Sequence, residues 1–189
     1  MAIIVHRDPQ QYLQQADLLY SEQEVVQAVS NIAAQLNQAY AHKRPVVLCV
    51  MGGGVVFTGQ LLPQLTFPLE FDYVQATRYH GVTEATDLQW VIKPKHFIKN
   101  RNVLILDDIL DEGITLKAIV DECEQLGANE VRVAVLVDKA LNKPKPIQAD
   151  YVGLSVPERY VFGCGMDVFG WWRNLPAIYA LGKNTLDKN

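Results

Sequence analysis

Four carboxylates fall within six consecutive positions of the segment VLILDDILDEGITL, which spans residues 103–116; they are Asp107, Asp108, Asp111 and Glu112. The apolar run before them predicts a buried strand, and the residues after them favour the start of a helix. In an open α/β sheet, ligands bind beyond the carboxyl ends of the strands, at the following loop and helix N-terminus. The four negative charges therefore lie where a ligand is expected.

This loop offers two kinds of binding group. Backbone N–H groups from about residue 111 to residue 115 have no partners within the helix and lie at the positive end of its dipole, so they suit a monophosphate. Gly113 allows the backbone to come close, and the Thr115 hydroxyl adds a donor. Asp107 and Asp108 suit hydroxyl donors, a divalent cation or both, and Asp111 lies between the two zones, where it can accept or give a proton. A ribose 5-phosphate, with a phosphate beside a diol, fits this combination.

Ordinary helix capping is the competing explanation for part of the pattern. Acidic residues commonly begin helices because they cap the first turn and complement the dipole, and Asp111 and Glu112 alone would fit that role. The Asp107–Asp108 pair fits it less well, because adjacent carboxylates at a strand end repel each other unless they have a partner. The sequence has neither a P-loop lysine motif nor a GxGxxG motif, which disfavours the usual nucleoside-triphosphate and dinucleotide sites.

Hydrophobic spacing predicts a single α/β domain around this loop. A capping box of Ser21 and Glu24 begins a helix of about six turns, and an amphipathic helix from about Thr115 to Leu126 ends at Gly127. Strand, helix and strand with short links form a βαβ unit, so the sheet is at least partly parallel. Strands are predicted at residues 45–50, 67–79, 103–107, 131–137 and 150–154, a further helix at 55–65, a flap or short hairpin at 80–100, and a lysine- and proline-rich surface connection at 140–150.

Composition limits the classes of function. The chain has 189 residues, 49% of them hydrophobic, which is enough for one core without disulfides or metals. A net charge of −4 disfavours binding to nucleic acid or to an anionic membrane. The three cysteines, Cys49, Cys123 and Cys164, lack metal or redox spacing and are expected to be buried free thiols. No segment is typical of a signal peptide or a transmembrane helix, so we expect a soluble, cytoplasmic protein.

The acidic segment resembles the phosphoribosyl-pyrophosphate (PRPP) signature of type I phosphoribosyltransferases. The shared pattern is an apolar strand, two acids, two apolar residues, an aspartate, a variable residue, a glycine and a threonine. From about Val46 to Leu181 the chain is similar to the hypoxanthine-guanine phosphoribosyltransferases, and the flap resembles them least. The resemblance implies an α/β fold with a central, mostly parallel sheet flanked by helices. It also implies a core at about residues 40–150, a hood from about residues 1–20 and 151–189, and a mobile flap at about residues 78–97.

The resemblance implies a role for each part of the site. Asp107 and Asp108 would hold the ribose hydroxyls, and Asp111 would lie near N7 of the purine as a proton acceptor or a hydrogen-bond anchor. The 5-phosphate would be held by the amides and hydroxyl of Glu112, Gly113, Ile114 and Thr115. The purine would be held by Lys139 at its 6-oxo group, by Tyr160 through stacking, by the Val161 backbone and by the Met166 carbonyl, with Asp167 binding magnesium beside it. Read without the resemblance, Lys139 is more simply a solvated lysine and Tyr160 a buried aromatic residue.

Pyrophosphate is expected at the turn CVMGGG and at Arg173. In the family, this turn contains a cis peptide bond before a non-proline residue, which corresponds to Met51–Gly52 here, and Gly53 belongs to the same turn. Some members carry lysine at the position of Gly52, so this chain lacks one side-chain contact. Read alone, the sequence would indicate a plain glycine turn and a surface arginine stacked on a tryptophan.

The implied reaction joins hypoxanthine or guanine to PRPP and gives IMP or GMP and pyrophosphate. Mg2+ would accompany PRPP, with Asp107, Asp108 and Asp167 as its ligands, and the protein would form a homodimer or homotetramer. The flap would begin at Arg78 and Tyr79 and close over the substrates; Arg78 replaces a small residue of the family. A preference for xanthine is one alternative, because the contacts to the 2-position are made by backbone. A regulator of the same fold that binds PRPP or nucleotides is another, which the net charge of −4 disfavours.

Overall fold

The computed structural model describes residues 8–78 and 88–182, and its helices and strands are numbered in chain order. The helices are α1 (Pro9–Gln14), α2 (Glu22–Tyr40), α3 (Gly54–Leu61) and α4 (Ile114–Gln125), with short 3-10 turns at Leu62–Gln64 and His96–Ile98. The strands are β1 (Ala16–Tyr20), β2 (Val46–Met51), β3 (Glu70–Arg78), β4 (Leu88–Ile92), β5 (Asn102–Leu110), β6 (Glu130–Ala140), β7 (Tyr151–Pro157), β8 (Val161–Phe162) and β9 (Ile178–Leu181).

A six-stranded sheet with the order β4-β3-β2-β5-β6-β7 forms the centre of the fold. The neighbouring strands are parallel except for β3 and β4, which pair antiparallel. This confirms the predicted α/β fold with a mostly parallel sheet. From β2 the strand order runs outward through β3 and β4 to one edge of the sheet, and from β5 it runs outward through β6 and β7 to the other edge. In a doubly wound sheet, ligands bind where the strand order switches in this way, which is at the loops after β2 and β5.

Helices cover both faces of this sheet. On one face, α2 and α3 pack in the core that contains Leu104 and Leu106 of β5. On the other face, α4 packs in the core that contains Val103 and Ile105. Successive strand residues point to opposite faces, so a central strand needs an apolar side chain at every position. That requirement explains the uninterrupted apolar run before the four carboxylates.

The two predicted helix ends are present. Ser21 and Glu24 form the expected capping box at α2, where the Ser21 N–H donates to Glu24 Oε2 at 2.8 Å. The helix ends at Tyr40, slightly earlier than predicted. Helix α4 ends before Gly127, whose φ of +84° is the left-handed conformation that favours glycine at a helix end.

A second, three-stranded antiparallel sheet has the order β1-β9-β8 and joins residues from both ends of the described chain. Its core contains Tyr12, Phe162, Val168 and Leu181. The indole N–H of Trp172 donates to the Pro9 carbonyl at 2.6 Å and holds α1 to this sheet. The sequence analysis did not predict its strands, because each is short and its pairing joins residues far apart in the chain.

The segment predicted as a flap or short hairpin, residues 80–100, contains β4, which pairs antiparallel with β3. Residues 79–87, including Tyr79, and the side chain of Arg78 lie outside the described part of the protein. Within residues 8–78 and 88–182, no helix has both the length and the apolar character needed to cross a bilayer. Cys49, Cys123 and Cys164 are all buried and unpaired, as predicted.

Candidate active site

Two adjoining cavities open at the carboxyl end of β5. We call them the Lys139 pocket, of about 250 Å³, and the Gly113 pocket, of about 190 Å³. The end of β5 lines both pockets through Asp108 and Ile109, and Asp111, directly after the strand, also lines both. The Lys139 pocket is completed by Lys139, Tyr160, Val161, Met166, Asp167 and Arg173, and the Gly113 pocket by Asp107, Gly113, Thr115 and Leu116. One ligand can therefore occupy both pockets by passing the end of β5.

Asp107 and Asp108 lie at the junction of these pockets and are almost completely buried, with 9% and 7% of their surface exposed. The Asp108 N–H donates to Asp107 Oδ1 at 2.9 Å. Burial, and then the negative charge of Asp108, raise the pKa of Asp107 well above its usual value. Burial also raises the pKa of Asp108. Hydroxyl donors or a cation would stabilise the ionised form of both side chains.

The glycine turn after β2 packs tightly against this carboxylate pair. A Cβ atom at Gly53 would lie 2.0 Å from Asp108 Oδ2, and one at Gly165 would lie 2.0 Å from the Gly53 carbonyl oxygen. Gly165 also has a φ of +102°, a conformation that side chains rarely adopt. The Met51–Gly52 peptide bond is cis, as predicted. Gly53 is therefore required by close contact between three segments, the turn, the end of β5 and the loop after β8, whereas a Cβ atom at Gly52 would meet no atom within 4 Å.

The Gly113 pocket lies at the N-terminus of α4. Gly113 is the N-cap residue and has a φ of +81°, and a Cβ atom there would lie 3.1 Å from the Ile147 side chain. The helix begins directly after it, so the amides of the first turn lie at this pocket. Glu112 Oε1 pairs with Lys143 Nζ at 2.5 Å, and this pair raises the pKa of Lys143. The positive charge of Lys143 opposes the negative charge that Glu112 brings to an anion site.

An ion pair between Lys139 and Asp111 lies in the Lys139 pocket, with Nζ 2.5 Å from Oδ2. The Lys139 side chain is only 11% exposed, against 43% for Asp111. The parallel register explains the contact, because Leu110 of β5 is the partner of Asp138 of β6. Asp111 and Lys139 are the residues that directly follow this pair. The pair presents an ammonium donor and a carboxylate acceptor side by side.

Tyr160 provides an aromatic surface in the same pocket. Its ring stacks on Phe169 with the centroids 5.7 Å apart, and Phe169 in turn contacts Tyr12 at 5.2 Å. Burial and the nearby negative charge of Asp167 raise the pKa of Tyr160, so the phenol is neutral at physiological pH. The supported ring leaves 36% of the residue exposed. A flat ligand can therefore stack on it.

Asp167 and Arg173 form a second ion pair at the edge of the Lys139 pocket, with Nη2 2.5 Å from Oδ1. The other Asp167 oxygen accepts a hydrogen bond from the Gly170 N–H at 2.8 Å. Arg173 Nη1 donates to the Gly165 carbonyl at 2.6 Å. Both side chains are thus engaged with each other and with the backbone around them.

Among the described residues, no three His, Cys, Asp or Glu side chains come together as a metal site. Asp107 and Asp108 supply a pair of adjacent oxygen donors that repel each other, which is the donor chemistry that Mg2+ prefers. A cation bound to them needs further oxygen ligands from water or from a substrate. Asp167 can join such a site only when its ion pair with Arg173 opens.

The profile of the phosphoribosyl transferase domain matches residues 15–168. The matched range contains β1 to β8 and every lining residue of the two pockets except Arg173. The chain belongs to the phosphoribosyltransferase family. Its central, mostly parallel sheet is thus the sheet of a phosphoribosyltransferase.

Several phosphoribosyltransferases are similar to this chain over most of its length. A hypoxanthine-guanine phosphoribosyltransferase of Streptococcus mutans is 35% identical over 172 residues, which is 90% of this chain and 96% of that protein. A hypoxanthine-guanine-xanthine phosphoribosyltransferase of Tritrichomonas foetus is 33% identical, covering 85% of this chain and 88% of that protein. The crystal structure of a hypoxanthine phosphoribosyltransferase from Staphylococcus aureus superposes with a TM-score of 0.85 at 29% identity, covering 97% of this chain and 100% of that one.

The structure brings most of the predicted site residues into one cleft. Those that line the two pockets are Asp107, Asp108, Asp111, Gly113, Thr115, Lys139, Tyr160, Val161, Met166, Asp167 and Arg173. Glu112 and Ile114 belong to the same loop, where Glu112 pairs with Lys143 and Ile114 is 36% exposed. Met51, Gly52 and Gly53 form the turn after β2, and Gly53 touches the cleft through Asp108. The roles predicted for all of these residues remain predictions.

Some site residues were missed by the sequence analysis. Ile109 lines both pockets. Its position between the acid pair and Asp111, at the end of the strand, could have indicated this. Phe169 supports Tyr160, but nothing in the local sequence indicates that contact. The pairing of Lys139 with Asp111 could have been found by aligning the carboxyl ends of the two strands, because parallel neighbours end at the same edge of the sheet.

Proposed function

We propose that the chain transfers the 5-phosphoribosyl group of PRPP to hypoxanthine or guanine, giving IMP or GMP and pyrophosphate. The names of the similar proteins support this purine salvage reaction. The observation that carries the proposal is the ion pair of Lys139 and Asp111 in a pocket that continues, past two buried carboxylates, to a helix N-terminus. A 6-oxopurine nucleoside monophosphate needs these three kinds of group in this order.

The Lys139–Asp111 pair matches one edge of a 6-oxopurine. O6 and N7 lie side by side on that edge of the base. The Lys139 ammonium donates to O6, and the Asp111 carboxylate accepts from N7–H in the tautomer whose N9 can attack. Adenine has an amino group in place of O6, so it presents a second donor to the ammonium and is rejected.

The base stacks on Tyr160, and the Val161 and Met166 backbones lie along its other edge. The Met166 carbonyl accepts from the Gly163 N–H at 2.9 Å and retains a second lone pair for the 2-amino group of guanine. Xanthine has an oxygen at that position and would face a carbonyl acceptor. We therefore rank xanthine below hypoxanthine and guanine as a substrate.

The ribose and its phosphate occupy the Gly113 pocket. Asp107 and Asp108 accept hydrogen bonds from the ribose hydroxyls, which offsets the repulsion that raises the pKa of both groups. The amides of Glu112, Gly113, Ile114 and Thr115 and the Thr115 hydroxyl hold the 5-phosphate at the positive end of the α4 dipole. Of the four acids, we expect only Glu112 to tolerate replacement.

The residues present fit a bound Mg2+, with Asp107 and Asp108 as ligands directly or through the ribose hydroxyls. Asp167 can join them, directly or through water, after Arg173 turns toward pyrophosphate. Bound Mg2+ supplies positive charge that offsets the charge of the departing pyrophosphate. The positive charge of this site therefore comes largely with the substrate, which explains how so acidic a loop can serve a heavily phosphorylated molecule.

The reaction breaks the bond between C1 of the ribose and the pyrophosphate oxygen, whose electrons leave with pyrophosphate, and forms a bond between C1 and N9. The N7 proton passes to Asp111, or stays hydrogen-bonded to Asp111 and is lost to water after the C1–N9 bond has formed, since IMP and GMP carry no proton on N7. The carboxylates at the ribose favour the positive charge that develops on the ring. The amides of the turn at Met51, Gly52 and Gly53, together with Arg173, favour the negative charge on the leaving group.

The remaining predictions belong to the same proposal. The core spans about residues 40–150, and a hood of residues 1–20 and 151–189 carries Tyr160 and Arg173. A flap at about residues 78–97, beginning at Arg78 and Tyr79, closes over the substrates and excludes water. The protein is a cytoplasmic homodimer or homotetramer that binds neither nucleic acid nor membrane.

An assay of four bases tests the proposed function. The purified protein is incubated with PRPP, Mg2+ and either hypoxanthine, guanine, xanthine or adenine, and nucleoside monophosphates are separated by chromatography. We expect IMP and GMP, much less XMP and no AMP. Formation of XMP faster than IMP and GMP would favour the xanthine alternative, and absence of every product would refute the proposed enzyme activity.

A further inference from the structure

Lys145 is a largely buried lysine in a connection that is otherwise mostly exposed. Its side chain is 13% exposed, although the sequence predicts a surface connection at residues 140–150. Its Nζ donates to the Leu110 carbonyl at 2.7 Å and to Asp138 Oδ1 at 2.5 Å. Lysine is rarely buried unless it is paired, so the two bonds explain why the side chain turns inward.

The two acceptors of Lys145 are the residues directly before the Lys139–Asp111 ion pair. Leu110 is the last residue of β5 and the register partner of Asp138 in β6. Asp111 follows Leu110, and Lys139 follows Asp138. The single ammonium group of Lys145 thus joins the ends of β5 and β6, directly before Asp111 and Lys139.

Lys145 acts from the side of the sheet opposite the Lys139 pocket. Consecutive strand residues point to opposite faces, so Asp138 and Lys139 project in opposite directions. Asp138 and Lys145 line a separate cavity of about 350 Å³. That cavity shares no lining residue with the Lys139 pocket or the Gly113 pocket. Lys145 therefore does not line the cleft and can affect its contents only through the residues it holds.

We propose that Lys145 is a positioning residue that fixes the separation and orientation of Lys139 and Asp111 by joining Leu110 to Asp138 behind them. This inference rests on the proposed function, because it assigns the ion pair to the purine edge. Loss of the bridge frees the two strand ends to move relative to each other, and the donor and acceptor then no longer match O6 and N7 together.

The neighbouring residues of the connection support a different part of the site. A Cβ atom at Gly113 would approach Ile147 at 3.1 Å and Pro146 at 3.5 Å. These residues therefore lie against the phosphate loop, residues 112–115, which is proposed to hold the 5-phosphate. Lys145 itself bonds to the strand ends that precede the purine-binding pair. Its removal should therefore alter purine binding more than PRPP binding.

Lys43 provides a matched control. It pairs with Glu130 at 2.9 Å, so it too binds a carboxylate of β6, but at the opposite end of that strand from Asp138. The Lys43 side chain is 41% exposed and contacts no residue of the two pockets described above. A lysine-to-methionine change at this position removes the same kind of ion pair without touching the proposed bridge.

The first test compares K145M, K145R and K43M with the unchanged protein by steady-state kinetics and GMP calorimetry. We expect K145M to lower kcat/KM for guanine by about tenfold, within the ~10²-fold that a misplacement of about 1 Å can cost. The KM for guanine and the Kd for GMP should rise, while the KM for PRPP stays within about twofold. K145R should recover most of the loss because its guanidinium has enough donors for both acceptors, and K43M should match the unchanged protein.

A double-mutant cycle decides whether Lys145 acts through Lys139. If it does, K145M adds no further loss in a K139M background, because the group to be positioned is already gone. Additive losses, or a fall in kcat alone that tracks the fraction of folded protein, would overturn the proposal. Absence of turnover in the unchanged protein would instead refute the proposed function, and the GMP dissociation constants would then still show whether Lys145 affects the pocket.

Discussion

Lys139 Nζ lies 2.5 Å from Asp111 Oδ2, across the carboxyl ends of two neighbouring parallel strands. Each charge is the partner of the other as long as no ligand is bound. A bound ligand can replace this contact with its own contact to each side chain. Because the lysine is the more buried member, the acid is the side chain with more freedom to follow a proton or a substrate. This arrangement separates the proposed roles, with recognition of the base assigned to Lys139 and proton handling to Asp111.

Replacement of Asp111 by asparagine should reduce turnover by roughly 10²–10⁴-fold, the usual contribution of a general acid or base. The amide keeps the size of the side chain but cannot accept a proton. PRPP affinity should be largely kept, because the phosphate loop is unchanged. The measurement is kcat by steady-state kinetics together with the Kd of PRPP by calorimetry.

Asp121 offers a control on α4, where its half-buried side chain pairs with Lys117. D121N removes the same charge outside the two pockets and should leave turnover unchanged. Normal turnover in D111N would exclude Asp111 from the chemistry and leave it as a capping residue.

Replacement of Lys139 by methionine should weaken discrimination between 6-oxo and 6-amino purines. A hydrogen bond to a charged group contributes about 1.5–3 kcal/mol, so kcat/KM for hypoxanthine should fall by roughly 10–100-fold. Adenine should lose nothing, since it makes no such bond. The measurements are kcat/KM for hypoxanthine and the inhibition constant of adenine, which is not expected to react, and an unchanged ratio of the two would show that Lys139 does not contact the 6-position.

Replacement of Gly53 by alanine should damage the site by steric contact alone. The added Cβ would lie 2.0 Å from Asp108 Oδ2, so the carboxylate must move. Overpacking of this kind costs about 1–3 kcal/mol of stability, and the displaced Asp108 should weaken PRPP binding by up to ~10²-fold.

Gly59 is the matched control for G53A, because a Cβ there meets no atom within 4 Å. It lies in the interior of α3, where alanine should raise the free energy of unfolding by roughly 0.5–1 kcal/mol. Urea unfolding and PRPP titration of both variants give the comparison. Equal stability changes in G53A and G59A would contradict the close packing of the turn on Asp108.

The raised pKa of Asp107 predicts an unusual dependence of stability on pH. An acid whose pKa is higher in the folded state holds its proton more tightly when folded, so its ionisation lowers the free energy of unfolding. That loss begins near the ordinary aspartate pKa of about 3.9 and is complete above the raised folded value. Without ligand, D107N should therefore be more stable than the unchanged protein at neutral pH, by of order 1 kcal/mol for each unit of the shift.

The stability gain of D107N should shrink as the pH falls through the raised pKa, which urea unfolding at a series of pH values will show. D121N, outside the two pockets and the buried core, should change stability by no more than about 0.5 kcal/mol at any pH. PRPP with Mg2+ should stabilise the unchanged protein far more than D107N. Parallel stability curves for D107N and the unchanged protein would rule out ionisation of Asp107 as the cause.

Five of the six strands of the central sheet could be predicted from sequence because their signals are local, whereas β4 fell in the segment predicted as a flap or short hairpin. The apolar run before Asp107, the capping box at Ser21 and the glycine after α4 each report one element from a few adjacent residues. The small sheet of β1, β8 and β9 gave no such signal, since strands of two to five residues are stabilised by partners far away in the chain.

The site shows the same division between local and long-range information. The residue types of the acidic loop indicated a ribose phosphate, because the binding groups and their spacing lie within one short segment of sequence. The partners of those residues were not predictable in this way. Lys139 meets Asp111, and Lys145 meets Leu110, through the register of β5 against β6, which depends on how whole strands pack.

The burial of all three cysteines has a practical consequence for chemical labelling. Burial raises the pKa of Cys123 and Cys164 to about 12 each, and it also raises that of Cys49. The thiolate is the form that reacts with alkylating reagents, so none of these residues should react in the native protein. A cysteine introduced at an exposed position, such as Asn142, is then the single reactive thiol. Fluorescent or spin labels can be attached near the cleft without first removing a native residue.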